Sequence, residues 1–254
     1  MEATRNRQYR LAARPVGLPK PSDWDVTDEE IPVPGPGEVV VEVEYLSLDP
    51  AMRGWMNEGR SYIPPVKIGE VMRALGIGRV IATNAPGFAE GDVVSGTFGI
   101  QLYALMKASE LTKVDPRLAP LPTQLAALGM PGLTAYFGML DVGKAVAGNT
   151  VVVSGAAGAV GATAGQIAKI QGCRVVGIAG GPEKCRWLVE ELGFDAAIDY
   201  KSEKIGRRVR ETAPNGIDVF FDNVGGEPLE AALSNLARHA RIVLCGAVSQ
   251  YNET

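Results

Sequence analysis

The sequence predicts an α/β protein with a β-rich, barrel-like first half and a doubly wound parallel sheet in its second half. Short strands separated by turns dominate residues 1 to about 115, whereas continuous apolar strands alternate with helical segments from residue 150. The chain of 254 residues, 46% hydrophobic and 21% charged, is long enough to bury both cores. We expect two domains, residues 1–125 and residues 126–254.

The β-rich half contains its clearest strand in GEVVVEVEYLSL, residues 37–48. β-Branched residues alternate there with polar ones after the turn-forming stretch PGPG. Further short strands are predicted in GIGRVIAT, GDVVSGTFG and LYALMKA. Many short strands joined by turns are typical of barrel-like all-β domains. A helical connector is predicted for residues 121–143.

The second half alternates strands and helices with the spacing of consecutive β-α-β units. The predicted strands are 150–154, 174–179, 196–199, 217–222 and 241–245. The predicted helices are 159–171, 183–192, 202–212 and 227–238. Continuous apolar strands of this kind form a parallel sheet covered on both faces. We expect the usual strand order 3-2-1-4-5-6, in which a ligand lies at the carboxyl ends of strands 1 and 4.

Composition disfavours several classes of partner. The net charge of −4 gives no electrostatic reason to expect nucleic acid or an anionic membrane. The longest apolar stretch is too short and too broken by glycine to span a bilayer, and the N-terminus shows no apolar signal-peptide core. The three cysteines are Cys173, Cys185 and Cys245. Their odd number and scattered positions predict reduced thiols in a cytoplasmic protein.

The histidine content argues against a metal site. The chain has one histidine, His239, and no CxxC pair, so a zinc site built from His and Cys is disfavoured and no metal is expected. His239 lies in LSNLARHARIV, at the end of a predicted helix before a strand. A histidine at that position is more typical of a partner for the helix dipole than of a catalyst.

The stretch TVVVSGAAGAVGATAGQ, residues 150–166, carries the main functional signal. Gly155, Gly158 and Gly161 follow the first apolar strand at three-residue spacing and lead into a helix of small residues. Such a turn lets a pyrophosphate approach the backbone at a helix N-terminus, and a small residue such as Gly161 allows close packing of helix and strand. We therefore predict a dinucleotide-binding turn. The alternative is a glycine-rich turn that only permits tight packing.

The end of the second strand indicates which dinucleotide binds. An NAD enzyme usually has Asp or Glu there to hold the ribose 2′-hydroxyl, but this chain has Gly180 and Gly181. Lys184 follows in the first turn of a helix, where a cation opposes the helix dipole unless a phosphate compensates it, and Arg186 is placed to assist. NADP is therefore favoured. The alternative is NAD, with Glu183 as the ribose acid.

The ends of the fourth and fifth strands complete the predicted crevice. FFDNVGG places Asn223 at the end of strand 4, and VLCGAVSQYNET brings Gly246 and Tyr251 to the same rim. Each assignment has an alternative. Asn223 can be a turn-forming residue before Gly-Gly, and Tyr251 can be an amphipathic surface aromatic.

Six motifs in this order resemble one family: SLDPAMRGWM, GMPGLTAYFGML, AAGAVG, GPEK, DNVGGE and CGAVSQYN. The chain is similar, from about residue 8 onward, to the zinc-independent medium-chain dehydrogenase/reductase superfamily, and within it to the NADP-dependent alkenal, prostaglandin and curcumin reductases. The resemblance implies a GroES-like catalytic domain followed by a Rossmann domain, with the active site in the cleft between them. It also implies NADPH-dependent reduction of the carbon–carbon double bond of an α,β-unsaturated aldehyde or ketone, with hydride transfer to the β-carbon.

The resemblance also assigns roles to residues. Lys184 and Tyr200 would hold the 2′-phosphate, and Met130 and Thr134 would lie near the nicotinamide. Together with the glycines found above, the expected cofactor-binding residues are Met130, Thr134, Gly155, Gly158, Ala159, Val160, Gly161, Gly180, Lys184, Tyr200, Asn223 and Gly246. The expected catalytic residues are Tyr251, near the cofactor and the proton path, and Tyr62, in the substrate pocket with Tyr103. The proton donor is a tyrosine, a ribose hydroxyl or water.

The chain departs from the family pattern in three places. Ala51 stands where an aromatic residue is usual, and GIQLYALM replaces a more usual GWQEYA, so substrate preference is open. The chain also stops just after the fifth strand, where relatives continue, which predicts a C-terminally truncated chain with an exposed apolar sheet edge. A homodimer is a candidate assembly. Two alternative functions remain, a quinone reductase and a cofactor-binding fragment without catalysis.

Overall fold

The computed structural model describes residues 5–59 and 61–253. They fall into two structural units, which we describe separately. The described residues up to Leu125, joined by Asn252 and Glu253, form the first unit, and Ala126–Tyr251 form the second. Within the described residues, every helix is too short or too polar to cross a membrane.

The first unit is built from seven short strands and two short helices. In chain order they are β1 (Asn6–Leu11), β2 (Trp24–Glu29), β3 (Glu38–Leu46), α1 (Ala51–Trp55), β4 (Gly76–Thr83), β5 (Val93–Gly96), β6 (Tyr103–Lys107), β7 (Thr112–Lys113) and α2 (Leu121–Leu125). β1 and β2 form an antiparallel pair, and the others form a five-stranded antiparallel sheet in the order β6-β3-β4-β5-β7. The predicted β-rich first half is confirmed.

Alternation along β3 directs its apolar side chains into this sheet's core. Val39 and Val41 pack in one buried cluster with Val80 and Val94 of the neighbouring strands. Successive side chains of a strand point to opposite faces, so residues two apart share a face. Val40, on the opposite face, is also buried, so this part of β3 is covered on both faces.

The helical connector predicted over residues 121–143 consists of two helices followed by a π-helical turn. After α2, the chain turns and starts α3 (Met130–Phe137), which continues into a π-helical turn at Gly138–Val142. Proline is tolerated only in the first turn of a helix. Pro131 therefore requires a new helix to begin just before it, and Gly129 at its N-cap has extended backbone angles.

The second unit alternates strand and helix as predicted. Its elements are β8 (Thr150–Ser154), α4 (Ala159–Ile170), β9 (Arg174–Ala179), α5 (Pro182–Glu190), β10 (Ala196–Asp199), α6 (Ile205–Thr212), β11 (Ile217–Asp222), α7 (Gly226–Leu233) and β12 (Leu236–Leu244). The five strands are parallel in the order β10-β9-β8-β11-β12. This is strand order 3-2-1-4-5, which confirms the doubly wound prediction.

The core of the second unit lies on both faces of this sheet. Val151 and Val153 of β8 pack on one face with Ala164 and Ala168. Val152 packs on the other face with Phe220 of β11. Apolar side chains on both faces are typical of a strand in the interior of a covered parallel sheet. The end of β8 therefore lies at the centre of this sheet.

The last strand corrects the prediction for His239. The predicted helix 227–238 ends at Leu233, and β12 begins at Leu236, five residues before the predicted 241. Ser and Asn favour turns because their side chains bond nearby backbone, and Ser234 and Asn235 separate helix from strand. His239 therefore lies inside β12, with a positive φ of 64°. It does not lie at a helix end, so the predicted pairing with a helix dipole is wrong.

Candidate functional site

The candidate site lies where the strand order of the second unit reverses. β8 and β11 are neighbours, and helices leave their carboxyl ends in opposite directions along the sheet. Such a switch point leaves a crevice beyond the strand ends, where ligands of open α/β sheets bind. The glycine turn follows β8, and the segment Asn223–Gly225 follows β11.

This turn requires glycine because of its backbone angles and because side chains would collide with its own backbone. Gly155 has a φ of 58°, in the left-handed region that favours glycine. A Cβ at Gly161 would collide with the Gly155 carbonyl oxygen, and a Cβ at Gly158 would lie 3.3 Å from the same oxygen. The turn therefore folds back closely on the start of α4, which side chains would prevent.

The start of α4 presents free backbone donors. A helix leaves its first N–H groups without partners inside the helix, and the N-cap residue Gly158 has no side chain to satisfy them. Gly158 and Ala159 are exposed, and Val160 is half-buried. The N–H groups of this first turn are therefore available to an anion.

A second group of predicted residues lies at the ends of β9 and β10. A Cβ at Gly180 would lie 2.8 Å from the ring of Tyr200, so Gly180 backbone and Tyr200 ring are in direct contact. Gly181 caps α5 with a φ of 98°. Lys184 is exposed in the first turn of α5, and among the described residues no side chain pairs with it. The Lys184 ammonium is thus available to an anion.

Asp199 connects these two strand ends, although the sequence analysis missed it. Its Oδ1 atom accepts hydrogen bonds from the backbone N–H of Gly181 at 2.7 Å and of Lys201 at 3.0 Å, and its Oδ2 atom accepts one from the Ser202 hydroxyl at 2.8 Å. The Gly181 N–H, followed by the other two donors, lowers the pKa of Asp199. An Asp followed three residues later by Ser at a strand end is a local signal that could have identified it.

A buried network fixes the segment after β11. The Ser154 hydroxyl donates to Asp222 Oδ1 at 2.6 Å, and Asp222 also accepts from the N–H groups of Val224 and Gly225. Asn223 donates its backbone N–H to the Ser154 hydroxyl and its side-chain amide to the Ser154 carbonyl. The sequence analysis missed Ser154 and Asp222. The Asn223 amide therefore ties the segment after β11 to the end of β8, a contact between residues 69 positions apart that neither the cofactor role nor the turn-forming alternative predicted.

Gly246 and Tyr251 lie beside this segment. A Cβ at Gly246 would lie 3.1 Å from the Tyr251 hydroxyl oxygen and 3.2 Å from the Asn223 carbonyl oxygen. The Tyr251 hydroxyl accepts the N–H of Ala247 at 3.2 Å. A Cβ at Gly155 would lie 3.4 Å from the Asn223 Cβ. The structure therefore brings Gly155, Asn223, Gly246 and Tyr251 to one rim.

The remaining predicted residues lie elsewhere. Met130 and Thr134 are one turn apart on α3, where the Thr134 hydroxyl donates to the Met130 carbonyl at 2.8 Å, and α3 packs against α4. In the first unit, Tyr62 is 82% exposed, and its hydroxyl accepts the indole N–H of Trp55 at 3.0 Å. Tyr103 is buried, with its hydroxyl 3.4 Å from Glu42 Oε1.

Within residues 5–59 and 61–253, no three side chains of His, Cys, Asp or Glu come together as a metal-binding group. The three cysteines are unpaired, and burial raises the pKa of the Cys245 thiol.

Two family models match the chain. The N-terminal domain of oxidoreductase matches residues 7–114, and the zinc-binding dehydrogenase model matches residues 159–254. The second match includes all of α4 and every strand of the parallel sheet except β8.

Curated relatives and solved structures agree with these matches. The chain is 45% identical to the NADPH-dependent curcumin reductase of Escherichia coli (strain K12), over 98% of this chain and 72% of that protein. It is 41% identical to the 2-alkenal reductase (NADP(+)-dependent) of Nicotiana tabacum, over 99% of this chain and 75% of that protein. It superposes on CurA from Vibrio vulnificus in complex with NADPH with a TM-score of 0.93 and 44% identity, covering 98% and 74% of the two chains. The chain therefore belongs to the medium-chain dehydrogenase/reductase superfamily.

Proposed function

We propose that this chain is a zinc-independent, NADPH-dependent reductase of the carbon–carbon double bond of α,β-unsaturated aldehydes and ketones. The observation that carries the proposal is the arrangement at the end of β9. Gly180 lies there against the Tyr200 ring, and Lys184 is exposed in the first turn of α5. Relatives of the chain include an NADPH-dependent curcumin reductase and an NADP(+)-dependent 2-alkenal reductase. We assign residues 1–125 as the GroES-like catalytic domain and residues 126–254 as the NADP-binding domain.

The residues of the second unit fit this cofactor. Side chains in the Gly155–Gly161 turn would collide with the turn's own backbone, so the backbone stays bare. A pyrophosphate needs a bare backbone in order to approach it closely. Ala159 and Val160 offer the N–H groups of a helix start, which favour an anion, while the Gly158 N–H donates to the Gly155 carbonyl at 3.0 Å. These residues would hold the pyrophosphate.

The adenosine end would be held at the ends of β9 and β10. Lys184 at the start of α5 opposes the helix dipole, at a cost of roughly 0.3–1 kcal/mol, which a bound phosphate would offset. Tyr200 is half exposed beside Gly180, so its ring and hydroxyl are accessible to a ligand. Lys184 and Tyr200 would therefore hold the 2′-phosphate.

The nicotinamide end would be held by the rim at β8 and β11 and by α3. The residues that we assign there are Asn223, Gly246, Met130 and Thr134. The bound cofactor supplies the hydride that the β-carbon of the substrate receives. The rim, fixed by the buried Ser154–Asp222 hydrogen bond, holds its position while the reacting atoms are aligned.

Two tyrosines are proposed as catalytic residues. A phenol is both donor and acceptor, and it is neutral near pH 7. The Tyr251 hydroxyl accepts the Ala247 N–H, and the Tyr62 hydroxyl accepts the Trp55 indole N–H. Each tyrosine therefore keeps its own O–H for donation to the substrate oxygen or to the α-carbon.

The partner that we propose is a small enone, and the proposed location is the cytoplasm. The three cysteines are unpaired, which suits a reducing compartment. A homodimer is the assembly that we propose. Among the described residues β12 is an outer strand of the parallel sheet, and its outer edge, with Leu244 exposed at the end, is the surface that a second copy would pair with.

The function is tested with NADPH carrying deuterium on its transferable position and a panel of enones and quinones. Deuterium recovered at the β-carbon of a saturated ketone or aldehyde supports the proposal. Turnover of quinones alone would instead identify a quinone reductase. Cofactor binding with no substrate-dependent oxidation would identify a binding module without catalysis.

A further inference from the structure

Asp199 ties together two loops that the proposed 2′-phosphate site needs. Its Oδ1 atom accepts the N–H groups of Gly181 and Lys201, at 2.7 and 3.0 Å. Its Oδ2 atom accepts the Ser202 hydroxyl at 2.8 Å. The residue is 9% exposed. One nearly buried carboxylate therefore joins the end of β9 to the end of β10.

Each loop carries one of the proposed phosphate ligands. Gly181 caps α5, three residues before Lys184. Tyr200 lies between Asp199 and Lys201, its N–H donates to the Ala179 carbonyl at 3.1 Å, and its ring contacts Gly180. Moving Gly181 away from Asp199 would shift the start of α5 relative to Tyr200. The distance between the two ligands therefore depends on Asp199.

The negative charge of the Asp199 carboxylate is stabilised by hydrogen-bond donors of the protein itself. Three hydrogen bonds from groups of the protein stabilise its ionised form. Its own backbone N–H donates to Glu203 Oε2 at 2.9 Å, and Glu203 is in turn paired with Arg208. The surrounding polar groups are thus arranged to hold this carboxylate in place rather than to leave it facing a ligand.

We propose that Asp199 is a positioning residue for recognition of the adenosine 2′-phosphate. It acts through Gly181 and Tyr200, because it joins the two loops that carry the proposed phosphate ligands. The selectivity for NADPH over NADH then depends on this connection between the loops. This inference rests on the proposed function, because it assumes that Lys184 and Tyr200 receive the phosphate.

The chain offers a matched control at the other end of the same strand. Asp195 precedes β10 and accepts the Val175 N–H at 2.6 Å and the Lys169 ammonium at 2.8 Å. It also ties β10 to β9, but at the amino ends of the strands, away from the crevice. Asp195→Ala therefore removes a similar anchor without touching the proposed site.

The test compares NADPH, NADH and 2′-AMP binding by the full chain and its variants. Asp199→Ala is expected to weaken the binding of NADPH and of 2′-AMP by about tenfold, which corresponds to one misaligned charge-assisted contact. The binding of NADH should be nearly unchanged. Asp195→Ala is expected to lower the melting temperature without changing the ratio of the two dinucleotide affinities. Asp199→Asn keeps an oxygen for Gly181 and Lys201, so it is expected to retain most of the NADPH preference.

The outcomes separate this inference from the proposed function. Equal NADPH and NADH affinities in the unaltered chain would overturn the proposed function. A preference for NADPH that survives in Asp199→Ala would overturn only the role of Asp199. Should Asp199→Ala not fold, Ser202→Ala replaces it, because it removes the donor to Asp199 Oδ2 and is expected to weaken binding of NADPH and 2′-AMP more than binding of NADH. No loss, or equal losses for both dinucleotides, would contradict the inference.

Discussion

The Ser154 hydroxyl lies 2.6 Å from the Asp222 carboxylate, although the residues are 68 positions apart in the chain. Both side chains are buried, at the ends of the two neighbouring strands β8 and β11. The bond joins the start of the glycine turn to the segment that carries Asn223. The two sides of the crevice are therefore held at a fixed separation before any ligand binds.

Ser154→Ala should lower the free energy of unfolding by about 1–3 kcal/mol, because it removes the hydroxyl that serves both Asp222 and the Asn223 N–H. Urea denaturation measures this loss. Ser234→Ala is the control, since its hydroxyl only bonds the Ala231 carbonyl within the end of α7. A Ser154 variant no less stable than the Ser234 variant would contradict the role of the network.

Gly161→Ala should abolish dinucleotide binding and destabilise the fold by about 1–3 kcal/mol, because the added Cβ collides with the Gly155 carbonyl. Fluorescence titration and thermal unfolding measure the two effects. Gly206→Ala in α6 is the matched control, since its Cβ would meet no atom closer than 3.8 Å. That variant should gain up to about 1 kcal/mol of helix stability and bind normally.

Lys184→Ala should weaken the binding of NADPH by about tenfold or more and leave the binding of NADH nearly unchanged, since only NADPH carries the 2′-phosphate. Raising the salt concentration should narrow the NADPH preference of the unaltered chain, because the contact is exposed. Glu183→Gln tests the alternative of NAD with a ribose acid. If that variant loses NADH binding while Lys184→Ala changes nothing, the assignment of the phosphate site is wrong.

Stability should depend on pH through Asp195. Burial alone would raise its pKa, but hydrogen bonds from Lys169 and Val175 outweigh burial and lower it. An Asp whose pKa in the folded protein lies below its unfolded value of about 3.9 adds stability to the fold. This contribution is fully present when the pH is above the unfolded pKa, and it is lost as the pH falls through the folded pKa. Urea midpoints should therefore be flat from pH 7 to about 5 and fall below about 4. Asp195→Asn should be less stable near neutral pH and flatter in acid, and an equally steep acid fall would contradict this.

The parts predicted correctly from the sequence are those that local chain chemistry determines. The spacing of Gly155, Gly158 and Gly161 reflects collisions within seven residues, so it is visible in the sequence. The alternation of β3 and the apolar runs of the second unit likewise report burial at neighbouring positions. These features were sufficient for the fold class and for the position of the glycine turn between β8 and α4.

The parts that were missed depend on residues distant in the chain. Asp199 bonds Gly181, and Asp222 bonds Ser154, only after the parallel strands are aligned. The Ser154–Asp222 partnership leaves no spacing that a single sequence reveals, and the Asp199–Ser202 spacing indicates only the local turn, not the bond to Gly181. The prediction for His239 failed for a different reason, because Ser234 and Asn235 end the helix earlier than the apolar pattern indicated.

The most direct test of the account is a titration of the purified chain with NADPH and, separately, with NADH, followed by nicotinamide fluorescence. The account predicts saturable binding of NADPH that is about tenfold tighter than that of NADH, because of the Lys184–Tyr200 phosphate site. Equal affinities, or tighter binding of NADH, would contradict the assignment of the cofactor and with it the proposed function.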